Sequence, residues 1–120
     1  MALSKKMKIR AANELKRLLN AESDLYEFMR YMIPNFIEAE HLKTICSKLK
    51  DVAEGRCKRL IVVTPPRHGK SETTSINFPA WYLGNHPQEQ IIACSYSADL
   101  ATTFSEATRR VIQSKRYQRI

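Results

Sequence analysis

The predicted fold is decided by residues 60–71, which read Leu60-Ile61-Val62-Val63-Thr64-Pro65-Pro66-Arg67-His68-Gly69-Lys70-Ser71. The first four residues are aliphatic and mostly β-branched, which is typical of a strand buried on both faces of a parallel sheet. A loop follows, and then a helix predicted to reach Leu83. A second buried strand is predicted at residues 90–94, and Ser97 can cap a helix after it. The order strand, loop, helix, strand, helix predicts an α/β fold.

Three helices are predicted upstream of this unit. The first is basic and amphipathic and ends near Asn20. The second is capped by Ser23 or Asp24 and stops before Pro34, because the residue before a proline avoids the helical region. The third ends at Gly55. These elements look like packing elements.

The predicted fold class is therefore a partial P-loop NTPase, a parallel sheet flanked by helices, with an N-terminal helical segment. The boundaries are residues 1–56 for the helical segment and 57–120 for the first part of the ATPase domain. The chain has 120 residues, whereas a complete motor ATPase sheet needs roughly 200 or more. We expect a fragment, a truncated prophage gene or a split reading frame.

Composition narrows the function classes. The 43% hydrophobic content is too high for a disordered chain, and no apolar run is long enough for a membrane span, so a cytoplasmic protein is predicted. Three cysteines without a C-x-x-C pair predict neither a disulfide framework nor a zinc site. The net charge of +8 favours polyanions such as nucleic acid. The basic residues before position 20 fit a DNA-facing helix and a solvated helix face equally well.

The loop has the chemistry of a phosphate site. Such a site needs backbone N–H groups at a helix N-terminus, a lysine for the β and γ phosphates and a hydroxyl for Mg²⁺. Gly69, Lys70 and Ser71 supply these parts, together with the amides of residues 67–72. Thr64 stands where the usual G-x-x-x-x-G-K-[ST] pattern has its first glycine. The alternative reading of the triplet is a surface turn that begins a helix.

The loop resembles the variant phosphate loop of tailed-phage terminase large subunits, which commonly lack the first glycine and carry an internal arginine. Phe-Pro-Ala-Trp-Tyr-Leu-Gly at residues 78–84 and Ile-Ile-Ala-Cys-Ser-Tyr-Ser at residues 91–97 resemble the segments that follow in that family. The resemblance covers roughly residues 23–120. It implies the ATPase part of a motor that packages viral DNA into a capsid.

The resemblance also implies roles for individual residues. Lys70 and Arg67 are the implied catalytic residues, with Arg67 directed at the γ phosphate, and Ser71 is the implied Mg²⁺ ligand. The implied contacts to ATP are Pro66, Arg67, His68, Gly69, Lys70, Ser71 and Glu72. The segment Pro34–His41 is a candidate for adenine, although His41 fits a core histidine better.

Arg109 and Arg110 are candidates for an arginine that acts on a neighbouring subunit. They fit better as simple cations that the helix dipole favours at a C-terminus.

The same resemblance implies partners for the chain, and the sequence also leaves competing functions open. The resemblance implies double-stranded DNA, and in the full-length family a portal protein, a small terminase subunit and a homo-oligomeric ring, in the cytoplasm of a bacterial host. No acidic residue follows an aliphatic run, so we expect nucleotide binding without useful hydrolysis by this chain. The alternatives are a helicase or other nucleic-acid ATPase, and a non-catalytic prophage remnant that binds DNA or a partner.

Overall fold

A computed structural model describes residues 4–65 and 69–120 of the chain. Throughout those residues the secondary structure is helical, and no strand occurs. In chain order the helices are α1 (Lys5–Ser23), α2 (Leu25–Met32), α3 (Glu40–Ala53), a π-helical segment (Glu72–Asn77), α4 (Phe78–Asn85), α5 (Ala98–Gln113) and α6 (Lys115–Gln118). No helix of the described ranges combines the length and the apolarity needed to cross a bilayer.

The prediction of a parallel-sheet α/β fold is wrong: within the described ranges the fold is all-α. Residues 60–65 and 90–95 form no strand pairing. Ile61 and Val63 are 88% and 85% exposed, and Ile92 is 89% exposed. A strand buried on both faces needs partners along its edges and helices over its faces. Leu60 and Val62 pack against the helical core on one side only.

Local capping signals set the boundaries of the helices. Asp24 caps α2, because its Oδ1 accepts from the amides of Tyr26 (2.9 Å) and Glu27 (3.2 Å). Ser97 caps α5 in the same way, accepting from the amide of Leu100 at 3.2 Å. Beyond α3, Gly55 adopts a φ of +80°, which favours glycine at a helix end. These predicted boundaries are confirmed, whereas α1 runs beyond Asn20 to Ser23.

The core lies where α2, α3 and α4 meet. Its buried residues are Leu25, Tyr26, Phe28, Met29, Leu42, Ile45, Cys46, Leu49, Ala80 and Trp81. The Trp81 indole N–H donates to the carbonyl of Glu22 at 2.9 Å, which satisfies its polar edge and ties α4 to the end of α1. The predicted core role of Trp81 is confirmed. This core supports the helix that begins at Lys70.

The first turns of that helix are wider than an α-helix. Over Glu72–Asn77 the backbone is π-helical, and the amide of Phe78 bonds to the carbonyl of Thr73, five residues back. Two buried polar side chains accompany it. The Thr73 hydroxyl donates to the carbonyl of Gly69 at 2.8 Å, and the Asn77 amide donates to the carbonyl of Glu72 at 3.0 Å. The segment therefore buries these polar groups without leaving them unpaired.

Candidate functional site

The triplet Gly69-Lys70-Ser71 lies at the start of a helix, as the sequence predicts. Helical backbone begins at Lys70, and the amide of Thr73 bonds to the carbonyl of Gly69 at 3.0 Å. The amides that precede this bond belong to the first turn, where N–H groups have no partner within the helix. The positive end of the helix dipole lies at the same place, so this is a suitable position for an anion.

Both the backbone conformation at position 69 and the nearby side chain of Leu42 favour glycine there. The φ of Gly69 is +77°, a left-handed conformation that L-residues with a side chain adopt at a cost. A Cβ built on it would lie 3.3 Å from Cδ2 of Leu42 in α3. Glycine therefore lets the backbone pass close to α3 immediately before the helix begins.

The side-chain polar groups of Lys70 and Ser71 are uncommitted among the described residues. Lys70 forms no ion pair there, and the Ser71 side chain makes no capping bond. The next two hydroxyls are engaged, because Thr73 donates to Gly69 and Thr74 donates to the carbonyl of Lys70, both at 2.8 Å. Ser71 is therefore better placed to contact a ligand than either threonine.

Two cavities flank the start of this helix. One has a volume of about 360 Å³, and Gly69, Glu72 and Thr73 line it together with residues 35–37 and His41. The other, of about 490 Å³, is lined by Lys70 and Ser71 and by the inward side of residues 60–62. Most of the Pro34–His41 segment therefore lies beside Gly69 and lines the 360 Å³ cavity, whereas Lys70 and Ser71 line the 490 Å³ cavity.

Several predicted site residues lie elsewhere or outside the described residues. Pro66, Arg67 and His68 are not among the described residues. Thr64, at the position of the missing glycine, has a buried hydroxyl oxygen without a hydrogen-bond partner in the described part of the chain. Arg109 and Arg110 are exposed near the end of α5.

One feature of the site was not predicted from the sequence. Asn35 has a φ of +56°, and with Phe36 it forms the wall of the smaller cavity. Asparagine tolerates this conformation better than most residues, and here it directly follows Pro34. The Pro-Asn pair between two predicted helices is the sequence signal that could have indicated this turn.

Comparison with known proteins identifies one family. The model of the family described as "Terminase large subunit, T4likevirus-type, N-terminal" matches residues 61–120, which is half of the chain and includes the Gly69-Lys70-Ser71 triplet. No curated protein and no solved structure matches the chain.

Proposed function

This chain belongs to the terminase large subunits of the T4-like virus type, and from that membership we propose that it is the nucleotide-binding part of a DNA-packaging motor. The observation that carries the proposal is the position of Gly69-Lys70-Ser71. Within the matched residues, the triplet combines a helix N-terminus, an ammonium and an uncommitted hydroxyl. That set of groups suits a triphosphate with Mg²⁺.

The chemistry of these residues suits ATP and Mg²⁺. Lys70 would hold the β and γ phosphates, Ser71 would be a ligand of Mg²⁺, and the first-turn amides would donate to phosphate oxygens. The 360 Å³ cavity beside Gly69 is within the range of small-molecule sites, and its wall at residues 35–37 is mostly apolar, as a purine base requires. Arg67 would add a guanidinium for the γ phosphate. When bound, ATP supplies the phosphoanhydride bond whose cleavage drives movement.

In the assembled motor, we propose that hydrolysis drives DNA translocation into the capsid, together with a portal protein, a small subunit and neighbouring copies in a ring. Ground-state phosphate ligands such as Lys70 and Ser71 hold a nucleotide without orienting the attacking water. We therefore propose that this chain binds ATP but releases phosphate slowly. Robust phosphate release that Lys70→Ala abolishes would contradict this part of the proposal.

A fluorescent ATP analogue with Mg²⁺ tests the binding proposal. We expect Lys70→Ala to weaken binding about tenfold or more, because a charge-assisted hydrogen bond contributes about 1.5–3 kcal/mol. Ser71→Ala should remove the dependence on Mg²⁺. Two controls keep the site intact: Lys58→Ala removes an exposed lysine elsewhere, and Ser105→Ala removes an exposed hydroxyl in α5. Equal loss of binding in Lys70→Ala and Lys58→Ala would refute the assignment.

A second candidate function is DNA binding without catalysis. The first half of α1 is exposed and carries Lys5, Lys6, Lys8 and Arg10 without an acidic residue. Such a segment binds the phosphate backbone through charge alone. Retention of DNA binding together with absence of nucleotide binding in the wild-type chain would favour this candidate over the first.

A further inference from the structure

A polar cleft lies on the other side of the Ile33–Phe36 turn from the cavity beside Gly69. Its volume is about 470 Å³, and its charged lining residues are Arg17 of α1, Arg30 of α2, Glu38 and Arg116 of α6. Three guanidinium groups therefore face one carboxylate. The arginines come from three helices, so only the folded chain brings them together.

Two of these arginines gather around one buried ring. The guanidinium carbon of Arg17 lies 5.3 Å from the ring centroid of Tyr31, and that of Arg116 lies 5.9 Å from it. Tyr31 and Arg116 are also joined by two hydrogen bonds, because the Tyr31 hydroxyl donates to the Arg116 carbonyl (3.0 Å) and the Arg116 guanidinium donates to the Tyr31 carbonyl (2.6 Å). Tyr31 is 2% exposed, so it holds both side chains in defined positions.

Neither Arg17 nor Arg116 forms an ion pair with a carboxylate among the described residues. Arg30, in contrast, is paired with Glu27 at 3.1 Å and Glu38 at 2.9 Å. The cleft lining thus includes two arginines without a carboxylate partner among the described residues and a third, Arg30, that is held by two ion pairs. Like charges repel, and an anion bound in the cleft would lower the electrostatic free energy.

The basic surface continues from the cleft along α1. Lys6, Arg10 and Arg17 are spaced by four and seven residues, which places them on one side of the helix. Glu14 lies between Arg10 and Arg17 on that side, and Arg119 pairs with it at 3.5 Å. The three basic positions span about 16 Å along the helix axis at 1.5 Å per residue. All three side chains are exposed. A row of cations of this length matches a stretch of phosphodiester backbone better than it matches a single small anion.

We propose that the cleft formed by Arg17, Arg30 and Arg116, continued by Lys6 and Arg10, binds backbone phosphates of double-stranded DNA. The inference rests on the proposed packaging function and deepens it by locating a DNA contact away from the nucleotide cavity. Guanidinium groups suit this ligand because their planar donors bond two phosphate oxygens at once. The membership in a family of packaging proteins favours DNA over an acidic peptide as the occupant.

The test measures the binding of a fluorescent mixed-sequence duplex by anisotropy. The potassium chloride concentration is varied from about 25 to about 200 mM, because counterion release makes the affinity fall as salt rises. Arg17→Gln is the first variant, because its side chain makes a ring contact but no hydrogen bond or ion pair in the described structure. We expect it to lower the magnitude of the slope of log affinity against log salt by about one, and the double variant with Arg116→Gln to lower it by about two.

The matched control removes the same charge elsewhere. Lys58→Gln with Arg59→Gln changes two exposed cations outside the cleft, and we expect it to leave the slope unchanged. Arg116→Lys keeps the charge but loses the planar guanidinium, and circular dichroism of both Arg116 variants separates a folding defect from a loss of phosphate contact. Weakened binding with an unchanged melting temperature supports the proposal.

Several outcomes would overturn the inference. An effect of Arg17→Gln no larger than that of the control pair would show that the charge acts without a site. Competition by a polyglutamate peptide at the same concentration as DNA phosphate would assign the cleft to acidic proteins, and competition by inorganic phosphate at low millimolar concentration would reduce it to a small-anion site. Absence of DNA binding by the wild-type chain would instead contradict the packaging proposal itself.

Discussion

Replacement of Gly69 by alanine should damage both stability and nucleotide binding. The residue has a φ of +77°, and the new Cβ would lie 3.3 Å from Cδ2 of Leu42. The left-handed conformation costs a residue with a side chain about 1–2 kcal/mol. Alanine also restricts the unfolded chain, which returns about 0.4–1 kcal/mol. Conformation alone therefore lowers the free energy of unfolding by roughly 0.8 kcal/mol at the midpoints of these two ranges.

The contact with Leu42 adds to this cost, and Gly55→Ala provides the control. Gly55 has a φ of +80°, but a Cβ there meets nothing within 4 Å. The two variants share the backbone strain and differ in the contact. The contacting atom is the end of a leucine side chain that also lines the 360 Å³ cavity, so Leu42 has to shift by only a few tenths of an ångström. Overpacking that a side chain can relieve in this way costs less than about 1 kcal/mol, and we expect Gly69→Ala to be less stable than Gly55→Ala by an amount of that order.

Urea unfolding followed by circular dichroism measures the difference, and the ATP analogue measures the effect on the site. We expect Gly55→Ala to bind nucleotide normally and Gly69→Ala to bind it weakly, because Gly69 lies directly before the first-turn amides. Equal stability of the two variants would refute the role of Leu42. Normal nucleotide binding by Gly69→Ala would refute the argument that the backbone at this position approaches the ligand.

Two further predictions concern α2 and α3. Asp24→Ala should lower the free energy of unfolding by about 1 kcal/mol, because two amides lose their acceptor; thermal denaturation of Asp24→Asn, which keeps an acceptor, should show a smaller loss, and equal losses would contradict the capping role. Burial, and less strongly the charge of Asp24, raises the pKa of Cys46 from 9.0 to about 12. Between these two pKa values the folded chain retains the thiol proton of Cys46, whereas the unfolded chain loses it. The free energy of unfolding should therefore fall as pH rises above about 9, by up to about 1.4 kcal/mol per pH unit. Cys46→Ala, compared with wild type by urea unfolding at pH 8 and 10, should lack this component, and an identical decline in both would contradict it.

Sequence patterns predicted what depends on a few neighbouring residues. Asp24 and Ser97 cap helices, and Gly55 ends one, because each forms bonds or adopts angles within its own turn. The start of a helix at Lys70 was predicted for the same reason. Its ligand remains a prediction that rests on the family match and on the uncommitted groups of the site.

Features that depend on distant residues were not predicted. An aliphatic run such as residues 60–63 favours extended backbone, but a sheet also needs partner strands, and the described residues provide none. The π-helical turns depend on how Thr73 and Asn77 are buried by other helices. The arginine cleft joins Arg17 to Arg116 across 99 positions of the chain, and no local pattern connects them.

The uneven burial of α1 has a consequence for protease sensitivity. Ala21 is fully buried, whereas every residue before Glu14 in the helix is exposed. Backbone amides in that first half should exchange their hydrogens quickly, since few tertiary contacts oppose local opening. Trypsin, which cleaves after lysine and arginine, should therefore cut within Lys5–Arg10 before it cuts the core. The clipped chain would keep Arg17 and the cleft around Tyr31, so limited digestion divides the basic surface into a removable arm and a part built into the fold.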